Sequence, residues 1–71
     1  MMYTKNPKGP EKVSSFTSKG EISVHLPVGV YGQDFAIEYI HLRLPEGVPR
    51  EVASSLFWHA VDCNYLVPLE R

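Results

Sequence analysis

His59 and Cys63 stand four residues apart, a spacing that on a helix sets an imidazole and a thiol on neighbouring positions of one flank. Such a pair is half of a zinc site, or the beginning of a nucleophile–base dyad. His25 and His41 are the other nitrogen donors, and nothing in the spacing makes the four side chains converge. A structural zinc site ordinarily announces itself with a second close pair such as CxxC, and the chain has one cysteine. Read as a dyad, the two residues share one rigid helix with no third group to orient the imidazole. The acids Glu38, Glu46, Glu51 and Asp62 show no pairing fixed by sequence. Gly29-Val-Tyr-Gly32 precedes an expected strand, so its amides lack the helix dipole that makes a phosphate cradle. The expectation is no metal, no cofactor and no catalysis.

Binding chemistry is better represented. The first twenty residues carry Lys5, Lys8, Lys12 and Lys19 against Glu11 alone, whereas the rest carries three arginines against seven acids. A net charge of −1 therefore hides a basic leading segment on an acidic body, an asymmetry that points to a macromolecular partner. Tyr3 is the large apolar group of that segment and a candidate anchor. Tyr39, His41 and Arg43 form an aromatic–basic strip of the composition interfaces favour. Trp58 falls on a helix face with Ser54, Ser55 and Asp62, away from the apolar stripe, and large exposed tryptophans dominate interface hot spots. The lysines with Tyr31, Phe35 and Tyr39 also allow a nucleic-acid reading, with phosphates on the lysines and bases on the rings. The acidic body opposes it, since Glu51 and Asp62 repel a groove-bound helix.

The elements that must position these residues emerge from the pattern. Residues 1–12, with Pro7, Gly9 and Pro10 among lysines, read as a flexible basic arm, and residues 13–71 as one small domain. Val13 to Thr17 and Glu21 to Leu26 are strands around a Ser18-Lys19-Gly20 turn, with Ile22, Val24 and Leu26 on one face. Phe35 to Leu44 is rich in β-branched and aromatic residues and reads as a third strand. Its alternation slips at Glu38–Tyr39, which implies a bulge there or burial on both faces. As a helix its apolar residues would scatter around the whole wheel. Leu26-Pro-Val-Gly-Val30 and Leu44-Pro-Glu-Gly-Val48 suggest two similar type I turns.

Pro49 to about Cys63 is the helix, with Val52, Ala53, Leu56, Phe57, Ala60 and Cys63 in one stripe and Asn64 as its terminal cap. Tyr65 to Leu69 reads as a short last strand, which Pro68 either confines to an edge or ends.

The predicted fold is a small α+β domain in β-β-β-α-β order. Three or four antiparallel strands carry one C-terminal helix, behind a disordered basic N-terminal arm. With 71 residues the core is thin, so monomer and homodimer are both expected states. No apolar run approaches the ~20 residues of a membrane span, and the lone cysteine suits a reducing compartment, so a cytoplasmic location is expected. No stretch carries a family signature. The resulting functional expectation is a non-enzymatic protein–protein interaction module. In size it resembles phage- or mobile-element-type regulators and inhibitors. Its partner would be a larger host complex, such as transcription or DNA-processing machinery. Tyr3, Lys5, Lys8, Lys12, Tyr39, His41, Arg43 and Trp58 are the candidate contacts. The alternative is a weak, largely sequence-independent nucleic-acid binder.

Overall fold

Four consecutive strands, two helices and a closing strand make up the chain: β1 (Met2–Lys5), β2 (Val13–Thr17), β3 (Gly20–Val24), β4 (Val30–Gly32), α1 (Gln33–Arg43), α2 (Arg50–Asp62) and β5 (Leu66–Pro68). The computed structural model describes residues 2–17 and 20–69; the Ser18-Lys19 part of the expected turn lies outside them. The class is α+β with antiparallel sheets, in β-β-β-β-α-α-β order and with two helices where one was expected.

β1 is the centre of a three-stranded sheet ordered β4-β1-β5, antiparallel to both neighbours. Tyr3 lies opposite Tyr31 on one side and Pro68 on the other. The expected free arm is therefore corrected: its leading residues are the middle strand of the sheet. Beyond β1 the chain enters a turn with good local chemistry. Asn6 accepts the N–H of Gly9 at 3.0 Å through its carbonyl and the N–H of Lys8 at 3.0 Å through its side chain. Asn, Pro and Gly at the first, second and fourth places are the residues a tight turn selects. Pro7 and Gly9 thus fold the chain back; they do not free it.

β2 and β3 form the expected hairpin, Val13 opposite Val24 and Ser15 opposite Ile22. Ile22, Val24 and Leu26 are buried and Ser23 and His25 exposed, as the alternation requires.

The expected strand at 35–44 is corrected to helix α1. Asp34 lies in its first turn and His41 and Arg43 in its last, matching the helix dipole, and Pro45 lies just past its end. Its apolar residues do surround the wheel, because Ala36, Ile37 and Ile40 are buried while Phe35 and Leu42 face outward. α1 packs on α2, whose Ala53, Leu56, Phe57 and Ala60 are wholly buried or nearly so. The α2 stripe is as the spacing predicts. Tyr3 meets Phe57 edge to face at 5.1 Å, joining the sheet to the helices.

α2 ends in a Schellman motif. Asn64 takes a left-handed φ of 66°, its N–H reaches the Val61 carbonyl at 3.2 Å, and the Tyr65 N–H reaches Ala60 at 2.9 Å. The two Leu-Pro-x-Gly-Val segments differ from each other. In the second, Val48 donates to Pro45 at 3.2 Å across Gly47 with φ 93°, which is the type II signature, not type I. In the first, the Pro27 carbonyl accepts the Tyr31 hydroxyl instead.

Candidate functional site

Tyr31, Phe35, Tyr39 and Arg43 recur every four residues, and α1 turns that spacing into a ladder. The rings of Tyr31 and Phe35 lie 5.8 Å apart, those of Phe35 and Tyr39 6.3 Å, and the Arg43 guanidinium stands 4.7 Å over Tyr39. Tyr31 is buried and Tyr39 partly buried, whereas Phe35 and Arg43 are exposed. Among the described residues no carboxylate pairs with Arg43; the ion pair Arg50–Glu38, at 3.7 Å, is exposed and links α1 to α2. Its energetic contribution is small.

The buried rung anchors the rest. Tyr31 donates its hydroxyl hydrogen to the Pro27 carbonyl at 3.1 Å, pinning the loop before β4. Burial first, then the neighbouring phenols of Tyr65 and Tyr39, push the Tyr31 pKa up to about 12, so the donor stays protonated at neutral pH. Between that loop and α1 opens a cleft of about 300 Å³ lined by Pro27, Val28, Gly29, Val30, Tyr31 and Phe35. Val28 is 91% exposed at its rim, and Leu42, 73% exposed, extends the apolar surface along α1.

The residues expected to bind divide between surface and interior. Tyr39 and Arg43 come together in the ladder. His41 does not join them: its Nε2 lies 3.3 Å from the Val48 carbonyl, tying the end of α1 to the turn before α2. Trp58 is 44% exposed and meets Phe57 edge to face at 4.9 Å, so it is partly covered by the core side chain beside it. Tyr3 is a buried core residue, and its role as a free anchor is corrected. Lys5 folds its ammonium over the Tyr65 ring at 5.6 Å, whereas Lys8 and Lys12 are exposed. The sequence offers Phe35 only as a base-stacking ring, and Val28 and Leu42 are not among the expected contacts. The signal for Phe35 and Leu42 is the apolar scatter around the α1 wheel, which marks a helix with two apolar sides.

His59 is exposed, and the Cys63 thiol points to the Ala60 carbonyl at 3.7 Å, a contact within its own helix end. Among the described residues no three His, Cys, Asp or Glu side chains gather to hold a metal, and no helix is long and apolar enough to cross a membrane. Gly29 to Gly32 does lead into a helix, correcting the expectation of a strand, yet Asp34 already supplies the anion in its first turn. No known family model, curated protein or solved structure matches the chain.

Proposed function

We propose that this chain is a non-enzymatic protein–protein interaction module that docks through the outer side of α1 and the adjoining 27–31 loop. The observation supporting this reading is the two-sided apolar character of α1. Its inner residues Ala36, Ile37 and Ile40 are buried, while Phe35 and Leu42 are 55% and 73% exposed. A surface helix ordinarily turns polar residues outward. Large exposed apolar side chains grouped beside an open cleft are instead the mark of a docking surface. Phe35 and Leu42, seven residues apart, fall on one line of the helix, and Tyr39 and Arg43 widen it with residue types that interfaces favour. Because Met2–Lys5 serves the sheet, the contribution expected of the leading segment shrinks to exposed Lys8 and Lys12. The target class remains a larger host assembly, transcription or DNA-processing machinery included, on the basis of chain size.

The test is a Phe35→Ser/Leu42→Ser double variant of the full chain, compared with wild type in affinity capture from native extract and in thermal melts. The expected result is loss of the captured partner with the melting temperature held or raised, since neither side chain is buried. A folded variant that captures the same partner at the same level overturns the proposal.

A further inference from the structure

β3 presents an open strand edge. Among the described residues it pairs with β2 alone, and β2 in turn has α2 packed against it. The three-stranded sheet blunts its own edges: β4 has three residues, and Pro68 in β5 lacks a donor. β3 carries neither proline nor lysine over five residues, and its burial alternation runs on through exposed His25 and buried Leu26.

The hairpin register fixes which backbone groups lie on that edge. Thr17 pairs with Gly20 across two residues, a separation that lets them pair only by exchanging both of their own backbone bonds. Alternation then points the N–H and C=O groups of Ile22 and Val24 at β2, and those of Glu21, Ser23 and His25 outward. Leu26, in phase with Ile22 and Val24, accordingly gives its N–H to buried Tyr65 inside the molecule.

We infer that two copies of this chain pair antiparallel through β3, with the two-fold axis at Ser23. That register sets Glu21 of each copy opposite His25 of the other, and Ile22 opposite Val24 on the core side. The hydrogen-bonded positions are then Glu21, Ser23 and His25, the phase the hairpin leaves outward. Carboxylate meets imidazole twice, and neither side chain has an ion-pair partner among the described residues. Other registers lose this match. An axis at Glu21 sets like charges together, one at Ile22 sets Glu21 against Ser23, and one at Val24 sets it against Pro27, which has no donor. Pairing through β2 about Ser14 would set Lys12 against Phe16.

Sedimentation equilibrium of the full chain reads the state. The mean mass is expected to rise from 8.0 kDa towards twice that as concentration climbs through the micromolar to millimolar range. Glu21→Arg sets a cation against His25, and His25→Glu sets two acids together; each weakens association about tenfold to thirtyfold. Both positions are exposed, so the variants keep the fold. Mixed in equal amounts they pair again, because the introduced arginine faces the introduced glutamate. In wild type, amide exchange at Glu21, Ser23 and His25 slows as concentration rises. A chain that stays at 8.0 kDa, variants that associate as wild type does, a mixture that fails to pair, or edge amides indifferent to concentration each overturn the inference. So does loss of association in Phe35→Ser/Leu42→Ser, which would put the contact on α1. Because the inference does not draw on the α1 face, its failure leaves the capture test of that face standing.

Discussion

The Tyr65 hydroxyl accepts the backbone N–H of Leu26 at 2.7 Å, across 39 positions of chain, from a side chain that is fully buried. The same residue's carbonyl accepts the Asn6 N–H at 3.0 Å, and its N–H closes the α2 cap. One residue thus joins the end of α2, the turn after β1 and the exit of the hairpin. Tyr65→Phe keeps the ring and leaves the Leu26 N–H unpaired. The expected loss is about 1–3 kcal/mol, a shift of several degrees in a domain this small. Urea denaturation measures it, and an unchanged midpoint would mean that water replaces the hydroxyl.

Gly9 is fixed by a neighbour, not by its own φ. A Cβ there would collide with the backbone carbonyl oxygen of Asn64 and press on the side chain of Asn6. Backbone cannot yield as a flexible side chain can, so Gly9→Ala is expected to cost about 1–3 kcal/mol. Asn64→Gly should be neutral or slightly stabilising, because glycine takes the left-handed φ without a Cβ penalty, whereas Asn64→Ala should cost about 1 kcal/mol. Melting curves of the three variants check the order. Gly9→Ala melting with wild type would show that the turn at 6–9 stands off from the helix end.

Much of this fold was legible because strong local patterns agreed with the tertiary outcome. The α2 stripe, the Asn64 cap, the alternation of β3 and the edge position of Pro68 are all local signals that packing respects. Two segments misled for definite reasons. At 2–9 the lysines and Pro7 outweigh Tyr3 and Thr4, although Asn6-Pro-Lys-Gly9 carries a turn's own chemistry directly after a strand-forming tetrapeptide. At 33–43 the β-branched and aromatic content suggested a strand, and scatter around the helical wheel was counted against a helix. That scatter says only that both sides are apolar. Asp34 near the start, His41 and Arg43 near the end and Pro45 beyond were the more reliable markers. The ladder became visible only once this segment was helical, since four-residue spacing aligns side chains on a helix and the rungs begin at Tyr31, outside it.

The central position of β1 yields a severe prediction about the N-terminus. Tyr3 is buried, lies opposite partners on both sides and packs edge-on to Phe57. Tyr3→Ala is expected to cost roughly 3–5 kcal/mol, comparable with the whole stability of a domain this size, and should leave the chain largely unfolded. Tyr3→Phe keeps the ring contact and should remain folded. Circular dichroism separates the two. Removing residues 1–5 should act like Tyr3→Ala; a truncated chain that folds with native stability would return the segment to the role of a dispensable arm.

Tyr31 predicts how stability responds to alkali. Its phenol is pushed up to about 12 by burial and by nearby phenols, against 10.0 for the free side chain. Below pH ~10 folded and unfolded chains both keep this proton, and its contribution is fully present. As pH rises further the unfolded chain releases the proton first, so unfolding gains, and the contribution is gone once pH passes the folded value. The effect is on the order of 3 kcal/mol at most. Tyr31→Phe removes it, together with the hydrogen bond to Pro27, so the variant should be slightly less stable at neutral pH yet fall less steeply between pH ~10 and 12. Tyrosinate absorbance, taken as wild type minus variant by rapid pH jump, isolates one phenol and should show a midpoint near 12. A midpoint near that of free tyrosine would place the hydroxyl in water, and the ladder would then lack the fixed rung from which Phe35, Tyr39 and Arg43 take their register.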